Sequence, residues 1–305
     1  MKVAALDLGT NSFLCLIAEV EGGRIQKVFS DQVEIVRLGQ DVNKTKRFHP
    51  DALKRAQACL ERFQKTIQQH QPEKILGMAT SAARDVQNSD ELFKIGRDLG
   101  IPIEIIPGEK EAEITFQGST SAYPLDGIVR AVIDIGGGST EIIAGKNGKH
   151  LGGKSINIGG VRLTEMFFPK QPPTAEQIEK LQTHCRQQLQ SLISEIGQFR
   201  PQELIAVAGT PTELAAASLG GFDALKIDGH QFTSQELKSW ISKLKDTTPS
   251  ERTSQLGISA GRADIILAGV LILDLILEMI PADRVSVSTR GVRFGVALNL
   301  EKRDI

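Results

Sequence analysis

The sequence predicts an α/β protein of two domains built twice on one plan. Three observations carry this expectation. At 305 residues the chain exceeds the size at which one hydrophobic core keeps growing. Residues 3–20 and 129–145 each read as a buried strand ending in Asp, a turn of glycine and hydroxyl residues, and a second strand. Each stretch is followed by a third strand, a helix, a buried strand, a short turn and another helix, so the duplication lies in architecture and not in repeated sequence.

The first half opens with strands joined by Asp7-Leu8-Gly9-Thr10-Asn11-Ser12, and 24–36 alternates as a third strand. Residues 50–69 form an amphipathic helix, with Leu53, Ala56, Leu60, Phe63 and Ile67 on one face. A buried strand at 75–80 leads through Ser81-Ala82-Ala83-Arg84-Asp85 into a helix ending near Leu99. Arg84 stands just past a strand end, where a guanidinium either reaches a ligand of an open α/β sheet or forms a surface salt bridge. After the short strand 103–106, Glu109, Glu111 and Glu113 fill the start of a helix, where acids favour the helix dipole. Residues 119–128 have a linker composition, and the domain boundary is expected there.

The second half repeats the order. Strands 129–134 and 141–145 flank Asp134-Ile135-Gly136-Gly137-Gly138-Ser139-Thr140-Glu141, and Asn147-Gly148 signals a hairpin to a strand near 154–158. A helix over 174–197 begins with Thr174 and Gln177 in capping-box spacing. The strand 204–208 enters Gly209-Thr210-Pro211-Thr212-Glu213 and a helix. The apolar stretch 263–280 is broken by Asp274 and Glu278 and predicts a buried helix, not a membrane span. A strand at 285–288 precedes Arg290 and Arg293, which either face a ligand or cap a helix.

The glycine turns fit an anion. Glycine lets backbone N–H groups approach a phosphate without Cβ hindrance, and Ser139 and Thr140 add hydroxyls. Asp134 and Glu141 would repel that phosphate unless they bind a cation or handle a proton or water. A plain glycine hairpin is the alternative reading of this stretch. Any polyanion must be held locally, because 36 basic and 37 acidic residues leave a net charge of −1. That balance implies no general attraction to nucleic acid or an acidic membrane. Cys15, Cys59 and Cys185 lie far apart without metal-ligand spacing and read as reduced thiols. No secretory leader is read at the N-terminus, and a cytoplasmic protein is expected.

In order along the chain, Asp7–Ser12, Ala79-Thr-Ser-Ala-Ala-Arg-Asp85, Gly108-Glu-Lys-Glu-Ala112, Asp134–Glu141, Gly160-Val-Arg-Leu-Thr-Glu165, Ala208-Gly-Thr210 and Arg262-Ala-Asp-Ile-Ile-Leu-Ala-Gly269 resemble the exopolyphosphatase/guanosine pentaphosphate phosphatase family. The resemblance implies the fold of the actin, hexokinase and chaperone-ATPase superfamily: two duplicated actin/ribonuclease H-like domains with an interdomain cleft. It implies an N-terminal domain of 1–124 plus about 288–305, and a C-terminal domain of 125–287. In the family's pattern Glu111 holds the position of the catalytic base, with Glu141 also catalytic. Asp7, Gly9, Thr10, Asn11, Ser12, Arg84, Gly136, Gly137, Gly138, Ser139, Thr140, Gly209 and Thr210 are expected at phosphate, and Asp134 and Glu141 at Mg²⁺.

The activity so implied is release of terminal orthophosphate from polyphosphate, with guanosine pentaphosphate as the alternative substrate. A polyphosphate or guanosine tetraphosphate sensor and a small-molecule kinase of the same superfamily are further alternatives. Cys15 stands where family members often carry an arginine, which favours polyphosphate. Lys146, Lys149 and His150, or Lys44, Lys46 and Arg47, offer a basic path for a longer chain. The length resembles that of the short, two-domain members, whereas longer relatives add helical C-terminal domains that extend a polyphosphate channel and support dimers. Short polyphosphates are expected as substrates, and a homodimer is the one protein partner the resemblance allows.

Overall fold

The computed structural model describes residues 1–280 and 282–302, and the chain falls into two units, 1–123 with 291–302 and 124–290. The part of the expected final segment at 303–305 lies outside the described residues.

The first unit contains β1 (Lys2–Leu8), β2 (Ser12–Glu21), β3 (Arg24–Ile35), α1 (Val42–Thr45), α2 (Pro50–His70), β4 (Lys74–Ala79), α3 (Ser81–Arg84), α4 (Ser89–Asp98), β5 (Ile103–Ile105) and α5 (Gly108–Thr120). Its sheet runs β3-β2-β1-β4-β5, with β1 to β3 antiparallel and β4 and β5 parallel to β1. α2 starts where Pro50 fixes the first turn and His49 accepts from the Asp51 N–H. Its apolar stripe of Leu53, Ala56, Leu60 and Phe63 covers Phe13, Cys15 and Ile17 of β2.

The alternate β2 residues Leu16, Ala18 and Val20 face the other side, where they meet Ile114 of α5 and Val292 and Val296 of the last helix. α5 and that last helix approach so closely that a Cβ on Gly295 would lie 2.0 Å from the Ile114 carbonyl oxygen, and one on Gly118 2.2 Å from that of Gly291. Only glycine permits the contact. It fixes the helix that carries Glu111.

The second unit contains β6 (Val129–Ile135), β7 (Thr140–Lys146), β8 (Lys149–Ile156), α6 (Gly160–Phe167), α7 (Ala175–Gln198), β9 (Glu203–Val207), α8 (Gly209–Leu219), α9 (Ala224–Ile227), β10 (Gln231–Thr233), α10 (Ser234–Lys245), α11 (Pro249–Leu256), α12 (Ile266–Met279) and β11 (Arg284–Val287); α13 (Val292–Leu300) returns to the first unit. Read from β8, its sheet order β8-β7-β6-β9-β11 repeats the first, with β10 added at the edge. β6, β7 and β8 are antiparallel, and β9 and β11 run parallel to β6. This is the mixed α/β fold of two like-ordered sheets that the sequence predicts.

α12 is buried from Ile266 to Leu277, and among the described residues no helix is long and apolar enough to cross a membrane. Thr174 and Gln177 form the expected capping box at α7.

Several boundaries differ from expectation. The helix foreseen after Arg84 is two pieces, α3 and α4, separated by residues 85–88. Residues 119 and 120, read as linker, close α5. α12 starts at Ile266, after a turn, and not at 263. α6 and the elements between 224 and 256 were not foreseen, although Thr233–Glu236 and Thr248–Glu251 form capping boxes of the same spacing as Thr174–Gln177.

Candidate active site

The duplication extends to single hydrogen bonds. Asp7 and Asp134 are the next-to-last residues of the central strands β1 and β6. Two residues later Gly9 N–H donates to the Ser12 carbonyl at 3.0 Å, and Gly136 N–H donates to the Ser139 carbonyl at 3.0 Å. A Cβ would meet those carbonyl oxygens at 3.0 Å on Gly9 and 3.2 Å on Gly136. Each turn is therefore an Asp-x-Gly-x-x-Ser unit closed so tightly that a side chain at its glycine would press on the carbonyl that closes it. The N–H groups of Gly9 and Gly136 are spent on closing it.

The two turns differ in the residue opposite the aspartate. In the second unit Asp134 is paired across the antiparallel ladder with Glu141, which puts both carboxylates on one face of the sheet. Glu141 is 1% exposed, and its Oε1 accepts from Ser139 Oγ at 2.9 Å and Ser155 Oγ at 2.5 Å. In the first unit Leu14 stands opposite Asp7. Cys15, where an arginine was expected to be replaced, turns into the core against α2; Leu14 is the residue on the face of Asp7.

Glu111 supplies the second acid of the first unit. It lies in the first turn of α5 and is 5% exposed, whereas Glu109 is exposed and Glu113 pairs with Lys110 at 2.7 Å. Arg84 Nη1 donates to Glu111 Oε2 at 2.5 Å and to the Ile106 carbonyl at 2.9 Å. The guanidinium that the sequence left between ligand and surface ion pair is thus a partner of the acid, within a largely buried pair. Burial pushes the Glu111 carboxyl above the ordinary glutamate range, opposed by the charge and hydrogen bond of Arg84. Asp7 is pushed up to about 7, first by burial and then by the Glu111 charge, with Arg293 pulling it down.

Arg293 is a site neighbour that sequence reading left undecided. It sits on α13 and makes a bidentate pair with Asp31 of β3, Nε to Oδ1 at 2.6 Å and Nη2 to Oδ2 at 2.7 Å. Asp31 carries no local signal, because its partner lies 262 residues away.

The residues expected at phosphate divide into two groups. The carbonyls of Gly136, Gly137 and Gly138 all accept from the start of α6. A trans peptide points its N–H opposite to its C=O, so the N–H groups of Gly137, Gly138 and Ser139 face away from α6. In the first turn Asn11 is 5% exposed and its Nδ2 has no hydrogen-bond partner among the described residues. A buried donor without an acceptor costs about 1–3 kcal/mol, which a ligand oxygen would recover.

The other hydroxyls point elsewhere. Thr140 Oγ1 donates to the Ile158 carbonyl at 2.8 Å, and Ser139 gives its single hydroxyl proton to Glu141. The Thr10 methyl lies against Gly39, and Thr210 packs against Gly269 on α12. Gly209 lies under the Arg262 guanidinium, where a Cβ would come within 1.7 Å of Nη1. Ser12 and Arg84 remain beside the first turn and Glu111.

Ahead of Gly209, Ala208 closes β9 at φ 70° and ψ −164°, a region natural to glycine alone. Ala208→Gly is expected to raise stability by about 1 kcal/mol, the relieved strain less the entropy of glycine. A shift of the urea midpoint at unchanged slope measures it; a lower midpoint would contradict the strain.

Among the described residues, no group of three or more His, Cys, Asp or Glu is arranged to hold a metal. Asp134 and Glu141 put two carboxylates on one face of the hairpin. Two carboxylates are a donor set that would suit Mg²⁺, which binds through one or two carboxylates and completes its shell with water and substrate phosphate. A structural zinc would need four protein ligands.

The model of the Ppx/GppA phosphatase family matches residues 16–304. Exopolyphosphatase 2 of Mycobacterium tuberculosis is 33% identical over 314 residues, covering 98% of both chains. A bifunctional 3-dehydroquinate synthase/phosphatase of Fusobacterium nucleatum is 34% identical over 308 residues, which span 97% of this chain and 46% of that protein. Among solved structures, an exopolyphosphatase from Cytophaga hutchinsonii superimposes with a TM-score of 0.91 at 25% identity, covering 99% of this chain and 98% of that one. An Aquifex aeolicus member of the Ppx/GppA family gives 0.79 at 29% identity, over 100% and 99%.

Proposed function

Because this chain belongs to the Ppx/GppA phosphatase family, we propose that it is an exopolyphosphatase, releasing terminal orthophosphate from inorganic polyphosphate with Glu111 as general base. The observation that carries this reading is the buried Glu111 carboxyl in the first turn of α5, held by Arg84 and pushed by burial above the ordinary glutamate range. Glu111 takes a proton from a water as the water oxygen bonds to the terminal phosphorus. The anhydride bond breaks, and the shortened chain leaves with its bridging oxygen.

The remaining groups act on charge. In the second unit the N–H groups of Gly137, Gly138 and Ser139 suit phosphoryl oxygens whose charge grows in the transition state; in the first unit the Asn11 Nδ2 is a donor suited to a phosphate oxygen. Asp134 and Glu141 would hold Mg²⁺, which when bound offsets the negative charge of the phosphate oxygens. Ser139 and Ser155 fix the Glu141 carboxylate for that task. Arg84 uses Nη1 for Glu111, so its Nε–Nη2 edge is the side suited to a phosphate oxygen.

Phosphate release should be measured in parallel on short polyphosphate, long polyphosphate and guanosine pentaphosphate, with and without Mg²⁺. Short polyphosphate is expected to be hydrolysed fastest, without any acceptor, and chelation should abolish the reaction. Faster release from guanosine pentaphosphate would transfer the assignment to that substrate. Binding of polyphosphate with no release would make the protein a sensor.

A further inference from the structure

The segment Gly159-Gly160-Val161-Arg162 has no role in the reaction as derived above, yet it touches the glycine turn at every peptide. Gly160 N–H donates to the Gly136 carbonyl at 3.0 Å. Val161 and Arg162 N–H both donate to the Gly137 carbonyl, at 2.9 and 3.0 Å. The Arg162 side chain completes the set, with Nε donating to the Gly138 carbonyl at 2.7 Å. Gly159 backs directly onto the turn: a Cβ there would lie 2.6 Å from the Gly137 carbonyl oxygen and 2.8 Å from the Gly138 carbonyl carbon.

Three glycines in a row have little conformational preference of their own. Without an external hold, the peptides of Gly136–Gly138 would rotate among many arrangements, most of which would not turn all three N–H groups away from α6. Backbone amides at the start of α6 hold two of the carbonyls. The third, which sets the direction of the Ser139 N–H, is held by a side chain.

The first turn is braced in a similar way, from the segment after its own third strand. Gly39 N–H donates to the Thr10 carbonyl at 2.8 Å, and Val36 and Arg37 N–H donate to that of Asn11 at 2.9 and 2.8 Å. Arg55 in turn fixes that segment through the Val36 carbonyl at 2.7 Å. An arginine thus supports each turn, directly in one unit and at one remove in the other.

We propose that Arg162 is a positioning residue for phosphate: by holding the Gly138 carbonyl against α6 it keeps the N–H groups of Gly137, Gly138 and Ser139 aimed at the phosphoryl group. The phosphate in this statement rests on the exopolyphosphatase reading. The bracing itself does not.

The test compares the full-length protein with Arg162→Met, which keeps length and loses the donor, and Arg162→Lys, which can still donate to a carbonyl. Arg162→Met is expected to lower kcat about 10- to 100-fold, since a displacement of about 1 Å costs on that order, and Arg162→Lys to recover part of it. Amide hydrogen exchange gives the readout that a merely stabilising residue would not move. In ligand-free protein the amides of residues 160–162 should lose protection in Arg162→Met. On adding orthophosphate, those of 137–139 should gain protection in the wild type and in Arg162→Lys but not in Arg162→Met.

Unchanged exchange together with kcat within twofold of wild type would overturn the proposal. So would a loss of rate with unchanged exchange and full rescue by lysine, which would put Arg162 on the substrate itself. If the wild type releases orthophosphate from none of the substrates, the exopolyphosphatase reading fails, while exchange at 160–162 still decides the bracing.

Discussion

Glu111→Gln is expected to lose at least about 100-fold in kcat and up to about 10⁴-fold, the range of general-base effects, with KM within a few-fold of wild type. The substitution is close to isosteric. The amide oxygen can still accept from Arg84 Nη1, which donates to Oε2 at 2.5 Å, so the ion pair becomes a neutral hydrogen bond and α5 keeps its place. Only the proton acceptor disappears. Steady-state kinetics on short polyphosphate with Mg²⁺ measure the effect, and binding of that substrate in the presence of Mg²⁺ should persist. Turnover equal to wild type would remove Glu111 from the chemistry.

Asp7→Asn should change the pH dependence of stability. The Asp7 carboxyl is raised from 3.8 to about 7 in the folded protein, by burial first and by Glu111 second. Below pH 4 both folded and unfolded chains hold the proton, and the site costs nothing. Between pH 4 and 7 the unfolded chain ionises while the folded one retains the proton. Stability then falls with rising pH, because the folded state binds more protons. Above pH 7 the penalty is complete, with a ceiling of about 4 kcal/mol from about 1.4 kcal/mol per pKa unit, reduced by the part of the carboxyl that faces water.

Asparagine removes the titration, so the variant should gain over wild type by up to that amount at pH 8 and by little at pH 4. Urea unfolding at both pH values, without divalent cations, reads the difference. Glu111→Gln should produce part of the same gain, since it removes one of the charges that raise Asp7. A pH-independent difference between Asp7→Asn and wild type would show that Asp7 titrates normally.

Much of the fold was legible because its signals are local. Asp7 and Asp134 ending apolar runs marked the central strands, and the glycine and hydroxyl turns after them marked the duplication. The amphipathic stripe of 50–69 placed α2 on the sheet, and the Thr174–Gln177 spacing started α7. The uniformly apolar run into Leu277 predicted a helix with no solvent face, and α12 has none. The geometry of the candidate site was legible where a motif is local, as in Asp134–Glu141, whose seven-residue separation and intervening turn pair two carboxylates across a hairpin.

What tertiary structure decided is where each polar group finds its partner. Sequence alone left Arg84 between a ligand and a surface pair, and the fold gave it to Glu111, 27 residues on. Thr140 looked like a phosphate ligand, but its hydroxyl is used on Ile158, 18 residues away. The three glycines announced a turn without saying which way its amides face; that is set by Gly160, Val161 and Arg162 from another element. The raised titration of Asp7 arises from its neighbours across the unit, Glu111 and Arg293, and from burial. Periodicity and turn chemistry act over a few residues and are therefore written along the chain. Hydrogen-bond direction and ionisation depend on atoms within a few ångström in space, and only the packed chain brings those together.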